Sequence, residues 1–299
     1  MLFTTVCLWA LNFVASKYVI THGISPLAYS APRYAIAGVL FVGLTLARER
    51  SVRVAPRDAL IFAACAVVLL LNQIGFIYAL HFTTATTVAL CFGTLPIFTG
   101  LISTAVGMER LTRRVIVAGL VSFAGVVLVA VGSGGALSTN LKGDGLALLG
   151  AATWAVYTVT IAPQMTRYSP LRISAWIIPF ASVLLLAAGS VQIAQEDYPS
   201  APGVWWTFAF AVIGPLVVTN VLWFTAVDRV GPSRSALFAN LQFFLAALFG
   251  VVLLHEGLSL VQVLGGLAIA AGIVLSRGGR IPAGLRRAPV PVEVPPVSE

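Results

Sequence analysis

Charge is what this chain has least of. Only 9% of its 299 residues are Asp, Glu, Lys or Arg, against about 25% in a soluble domain. Apolar residues make up 59% and the mean hydropathy is +0.98. Those values exclude an ordinary water-soluble fold and point to a polytopic membrane protein. Cysteine is scarce as well. Cys7, Cys65 and Cys91 stand singly inside apolar runs, so no disulfide framework is readable and the redox compartment is left open. Long loops are missing, which leaves no room for a soluble ATPase domain. The "GSGG" at 132–135 lacks the Lys-Ser/Thr ending of a phosphate loop and reads as a turn.

Acidic residues are absent from mid-membrane depth. Proton-coupled pumps commonly relay through such groups, so coupling is left open between a helix-end acid and passive flow down a gradient. His22, His81 and His255 fall at helix ends and offer no relay. Paired Asp, a Ser/His couple and clustered His ligands are also missing at depth. This argues against an intramembrane enzyme, and no metal or cofactor is expected.

What is present is a series of charge-free runs: 59–80, 82–108, 115–141, 145–166, 173–195, 198–227, 235–254 and 257–276. Each reaches the roughly 20 residues that cross about 30 Å of hydrocarbon. The run 34–47 is too short, so its helix must begin near Pro26 and contain Arg33. A first span precedes Lys17, whose long side chain can snorkel outward. With no basic start and Asn12 in its middle, that span does not read as a cleaved leader. Ten spans are therefore expected.

Basic residues cluster in alternate loops: Arg48, Arg50, Arg53 and Arg57; then Arg110, Arg113 and Arg114; Arg167 and Arg172; Arg229 and Arg234; and Arg277, Arg280, Arg286 and Arg287 in the tail. The positive-inside rule then places the even-to-odd loops and both termini in the cytoplasm. The net charge of +8 is thus an orientation signal, and nucleic-acid binding is a poor reading of it. The proline-rich stretch 280–299 reads as a disordered tail.

The chain also repeats itself. "MERLTRRVIVAG" at 108–119 is answered by "HEGLSLVQVLGG" at 255–266. At an offset of 147, Ala79 pairs with Ala226, Leu90 with Leu237, Glu109 with Glu256, Leu111 with Leu258, Gly119 with Gly266 and Gly125 with Gly272. Nearer the start of each half, "WALNFVASKYVITHGISPL" at 9–27 answers "WAVYTVTIAPQMTRYSPL" at 154–171. Two five-helix halves, 1–140 and 141–279, follow. Five is odd, so the second copy enters from the opposite face, with Glu109 cytoplasmic and Glu256 external. Inverted repeats of this kind build transporters whose site lies between the halves near the bilayer midplane.

Trp9-Ala10-x-Asn12 in the first span, Arg33-Tyr34 in the second and Glu-x-Leu with spaced glycines in each half resemble the EamA-type drug/metabolite transporter superfamily over residues 2–277. Within it, overall similarity is to the bacterial aromatic amino-acid exporters of the YddG type. The resemblance implies ten helices in the inner membrane, a central cavity, and efflux of amino acids and related compounds. Trp9-Ala10 stands where Trp-Gly is common in the superfamily.

Polar side chains near span centres tend to face the bundle interior. Asn12, Asn72, Gln73, Thr94, Asn220, Asn240 and Gln242 are of this kind. Neutral amides can pair with both ends of a zwitterion, and Asn12, Asn220, Asn240 and Gln242 are the substrate-binding candidates among them; the bland alternative is interhelical hydrogen bonding. Trp9, Tyr78, Trp154, Tyr157 and Trp223 could wall an apolar substrate side chain, or simply pack. Trp205 and Trp206 beside a loop read as interfacial belt residues. Lys17 and Arg33, toward the external side, could attract a substrate carboxylate, or pair with backbone carbonyls. Glu109 and Glu256 at helix boundaries read as structural, favouring a following helix N-terminus. Pro96 and Pro215 are hinge candidates among the interior prolines, which also include Pro32 and Pro179. Ala118, Ser122, Ala268 and Gly272 suit close helix contact.

The expected fold is all-α and membrane-embedded. The expected function is amino-acid export, aromatic and apolar ones favoured, by a monomer in a bacterial inner membrane. The alternative is another metabolite or drug, such as a sugar derivative or a phosphorylated compound. A phosphate site would need several buried cations, and only Arg33 and Lys17 are candidates.

Overall fold

The computed structural model describes residues 1–110, 112–132, 134, 140–254 and 259–276. Glu256, His255 and the expected tail 280–299 lie outside the described residues. Within them the chain is helical, with no strand. Its helices are α1 (Leu2–Thr21), α2 (Pro26–Glu49), α3 (Pro56–Phe82), α4 (Ala85–Phe92), α5 (Leu95–Ala105), α6 (Arg113–Gly132) and α7 (Leu141–Ile161). They continue with α8 (Pro170–Gln195), α9 (Pro202–Val212), α10 (Thr219–Val230), α11 (Pro232–Ala239), α12 (Leu241–Leu254) and α13 (Leu260–Ser276).

Proline starts α2, α3, α8, α9 and α11. At that position its fixed φ already suits a helix and its missing N–H would have had no intrahelical partner. The repeated Ser-Pro-Leu is therefore a start signal used twice. Ser25 and Ser169 precede the two prolines as N-caps in extended conformation, and Ser169 Oγ accepts from the Arg172 N–H. Arg33 falls inside α2 as expected, whereas α1 runs on past Lys17 to Thr21 instead of ending before it.

Eight helices among the described residues are long and apolar enough to cross a membrane, counting α4 with α5 and α9 with α10 as single passages. The expected ninth span, 235–254, is instead divided at Asn240 into α11 and α12. The expected tenth, α13, has 17 described residues. The fourth span is divided in the same manner at Gly93–Thr94. The eighth holds a wider π-helical turn, Ile213–Val218, containing Pro215. Proline cannot donate to the helical ladder, and a locally widened turn is one way the backbone absorbs that loss. Pro96 departs from its expected place. It stands in the first turn of α5, where a missing N–H disturbs nothing, and the interruption lies before it.

The three most extensively packed helix pairs are α6 on α13, α2 on α8, and α3 on α7. The α6–α13 contact is tight because glycines let the backbones touch. A β-carbon at Gly125 would stand 2.6 Å from the Gly265 carbonyl oxygen and 2.8 Å from the Ile269 nitrogen. A β-carbon at Gly272 would stand 2.7 Å from the Ala118 carbonyl oxygen and 2.9 Å from Ser122 Cβ. Subtracting 147 turns Gly272 into Gly125, Gly265 into Ala118 and Ile269 into Ser122. The contact thus maps onto itself under the 147-residue offset, as across a two-fold interface. A second such pair is Asn240 with Gly93, also 147 apart: the Asn240 amide donates to the Gly93 carbonyl at 3.2 Å and to Ser122 Oγ at 3.0 Å. The breaks in the fourth and ninth spans are tied to each other there.

Candidate functional site

Between the helices lies a cavity of about 740 Å³, counted together with the solvent-open space at its mouth. Its wall is built from one face of each of several helices. Trp9, Asn12 and Phe13 come from α1 at the i, i+3, i+4 spacing that puts side chains on one helix face. Arg33 and Tyr34 come from α2, and Asn72, Gln73 and Phe76 from α3. Phe92 and Leu95 flank the break in the fourth span, and Trp154 enters from α7. Pro215, Leu216, Thr219 and Asn220 come from the π-turn and the start of α10, and Gln242 from α12.

The rings are held in place. The Trp9 and Trp154 ring centroids are 5.5 Å apart, edge to face, with an interplanar angle of 85°. Trp223 backs Trp9 at 4.9 Å. Trp9 Nε1 donates to Thr219 Oγ1 at 3.1 Å, and that hydroxyl donates to the Pro215 carbonyl at 2.5 Å. The wide turn at Pro215 therefore exposes a carbonyl that, through Thr219, orients a tryptophan of the cavity wall. Asn72 donates to the Gly150 carbonyl at 2.8 Å, and its own carbonyl accepts from Gln73 at 3.1 Å. Arg33 is the one charged residue on this wall. Its side chain is buried, with Nη2 donating to the Ala211 carbonyl at 3.3 Å and to Asn12 Oδ1 at 3.5 Å. Its guanidinium carbon lies 4.7 Å from the Tyr29 ring centre, within cation–π reach.

Sequence comparison supplies the family. The sequence model of the EamA-like transporter family matches residues 1–131 and again 141–278. The chain belongs to the EamA-like transporter family. It is 26% identical to an uncharacterized transporter of Archaeoglobus fulgidus, covering 91% of this chain and 95% of the relative. It is 23% identical to the uncharacterized transporter YoaV of Bacillus subtilis, with 90% and 92% covered, and 25% identical to the WAT1-related protein At4g30420 of Arabidopsis thaliana, with 86% and 79% covered. A solved crystal structure superposes with a TM-score of 0.75 at 20% identity, covering 92% of this chain and 94% of that one. At that identity the likeness shows the fold alone. The protein is a multi-pass membrane transporter of this family.

In this EamA-family transporter the cavity gathers Trp9, Asn12, Trp154, Asn220, Gln242, Arg33 and Pro215 from the residues singled out by sequence. Others stand elsewhere, each for a visible reason. The Tyr78 hydroxyl accepts from Gln192 of α8 at 2.6 Å and its ring stacks on Phe82, so it is tied away from the wall. Tyr157 is fully buried between Trp154 and Phe224, one layer behind. Trp223 is likewise a second layer, supporting Trp9. Asn240 serves the contact between the two helix breaks. Lys17 reaches the Leu80 carbonyl near the end of α3 at 3.0 Å. Pro96 lines a separate apolar crevice between α5, α6 and α11.

Sequence reasoning passed over Phe13, Phe76, Phe92, Leu95, Leu216 and Thr219, and named Tyr34 only within the Arg33-Tyr34 motif. Helical spacing could have found several of them, because Phe13 follows Trp9 by four residues and Phe76 follows Asn72 by four. Glu109 also lies differently from expectation. Its carboxylate sits at the N-terminus of α11 rather than that of the next helix, α6, and accepts from Ser103 Oγ at 3.1 Å and from Ser233 Oγ. The two serine oxygens are 3.3 Å apart. Gly231, with φ +88°, allows the approach, since a β-carbon there would stand 2.6 Å from Glu109 Oε1. A helix N-terminus favours a carboxylate, and this one fastens α5 to α11.

Proposed function

We propose that this transporter exports amino acids, aromatic and other apolar ones foremost, by alternating access between two inverted repeats. The repeats are residues 1–140 and 141–279; α11 with α12 forms the ninth passage and α13 the tenth. The arginine-rich loops orient the chain in a bacterial inner membrane, with both termini and the tail 280–299 in the cytoplasm, and a monomer suffices because both halves belong to one chain. Support for the repeat comes from the two stretches matched by one family model and from the reciprocal glycine contacts. Two similar halves exchange inward- and outward-open shapes at similar energy, which is the physical basis of alternation.

The observation that carries the substrate reading is the composition of the cavity wall. Edge-to-face Trp9 and Trp154 provide a flat apolar surface, while Asn12, Asn220 and Gln242 provide neutral donors and acceptors within the same space. Such a wall suits a zwitterion with a large apolar side chain. A single guanidinium argues against phosphorylated cargo, which would call for several cations.

Reconstitution into liposomes with a panel of labelled amino acids, with and without a pH gradient, tests the proposal. The expected result is saturable uptake and counterflow of several aromatic or apolar amino acids. Gln242→Ala or Trp154→Ala should each lower kcat/KM about tenfold, the effect of losing roughly 1.4 kcal/mol of contact. Wild-type rates in both variants would remove these residues from the site, and no amino-acid uptake at all would overturn the substrate reading.

A further inference from the structure

Of the buried polar atoms that lack a hydrogen-bond partner among the described residues, two belong to residues that line the cavity, Arg33 Nε and Asn220 Oδ1, and both are covered at its surface. Arg33 is 4% exposed and Asn220 7%. One atom is a donor on a cation and the other an acceptor. Burying a cation away from water is costly unless an anion or good acceptors take its protons. What surrounds Arg33 is neutral: the Ala211 carbonyl at 3.3 Å, Asn12 Oδ1 at 3.5 Å, and the face of Tyr29. Both hydrogen bonds are long, and together they leave Nε free. The ion pairs found among the described residues, Arg167–Asp58 and Arg172–Glu49, involve other arginines. Lys17 does not line the cavity; its ammonium donates to the Leu80 carbonyl.

We propose that these two unpartnered atoms answer the two ends of the cargo once side-chain rotation brings them to the cavity surface: Arg33 Nε donates to the substrate carboxylate and Asn220 Oδ1 accepts from the substrate ammonium. This rests on the amino-acid reading and adds to it a rule of selection. A free carboxylate is obligatory, because a molecule without one leaves the guanidinium buried and unanswered and, if it carries an amine, sets cation against cation. A free ammonium is favoured but not obligatory, because its partner is a neutral amide. The side chain then lies along Trp9 and Trp154, where the wall makes no demand beyond apolarity. Cargo is thus screened by its backbone ends more strictly than by its side chain.

The test is competition against labelled phenylalanine uptake in proteoliposomes containing the full chain. The competitors are unlabelled phenylalanine, N-acetylphenylalanine, phenylalanine methyl ester and phenethylamine. The expected order has phenylalanine strongest, the N-acetyl compound weaker by about tenfold, and the ester and amine weaker by on the order of a hundredfold, as befits loss of a charge-assisted bond in a buried site. Arg33→Gln should abolish the discrimination between acid and ester, whereas Arg33→Lys should retain part of it. This ratio, taken within each variant, is one that a merely structural arginine would not move. Equal competition by acid and ester in the wild type would overturn the pairing while leaving amino-acid export standing. It also needs no variant to fold. Absence of phenylalanine uptake, with no other amino acid carried, would overturn both.

Discussion

Oxidising a Ser103→Cys, Ser233→Cys double variant stops transport, and a reducing agent restores it. The two hydroxyl oxygens are 3.3 Å apart across the α5–α11 seam, so sulfurs in their place are within reach of a disulfide after small rotamer adjustment. The experiment uses a background in which Cys7, Cys65 and Cys91 are replaced by serine or alanine. Alternating access requires this seam to part once per cycle, because α5 belongs to one half and α11 to the other. The hydroxyl–carboxylate contacts around Glu109 fasten it. A covalent bridge removes that freedom completely, so the expected loss is to background rather than partial. Each single-cysteine variant should transport normally under the same oxidant. If mass spectrometry finds the bridge formed and transport continues at the wild-type rate, the halves do not separate here.

The second large effect is on stability. Gly125→Val and Gly272→Val should each lower the melting temperature in detergent by roughly 5–10 °C, the consequence of a few kcal/mol of overpacking. In both cases the new side chain meets backbone rather than a movable side-chain end, at 2.6 Å and 2.7 Å. Because the two contacts are related by the 147-residue offset, the losses should be similar in size. Gly119→Val on the same helix is the control, for a β-carbon there has nothing within 4 Å. Wild-type melting in both seam variants would contradict the close backbone approach that joins α6 to α13.

Much of this architecture is legible in the sequence because the membrane leaves few alternatives. An apolar run of twenty residues must satisfy its backbone internally, so charge-free stretches translate directly into helices. The Ser-Pro-Leu copies mark two helix starts, and Gly125 and Gly272 mark a close seam. The helix breaks are less legible. Residues 235–254 read as one apolar span, yet Asn240 interrupts it to reach Gly93, a partner 147 residues away that no local pattern announces. The site was half visible for the same reason. Polar groups at mid-span stand out against lipid, which brought forward Asn12, Asn220 and Gln242. Whether a buried aromatic faces the cavity or the layer behind it depends on helix rotation. Trp154 and Tyr157 are three residues apart on α7, and only Trp154 reaches the wall.

Opposite sidedness of the two halves is the claim on which alternation, the cavity and the substrate reading all depend. Thr112 and Ser259 occupy the same place in each half, 147 residues apart, just before α6 and α13. In the cysteine-free background, Thr112→Cys and Ser259→Cys are to be labelled with a membrane-impermeant thiol reagent, in intact cells and in inverted vesicles. The account predicts that position 112 reacts only from the cytoplasmic face and position 259 only from the external one. Reaction of both from a single face would contradict it.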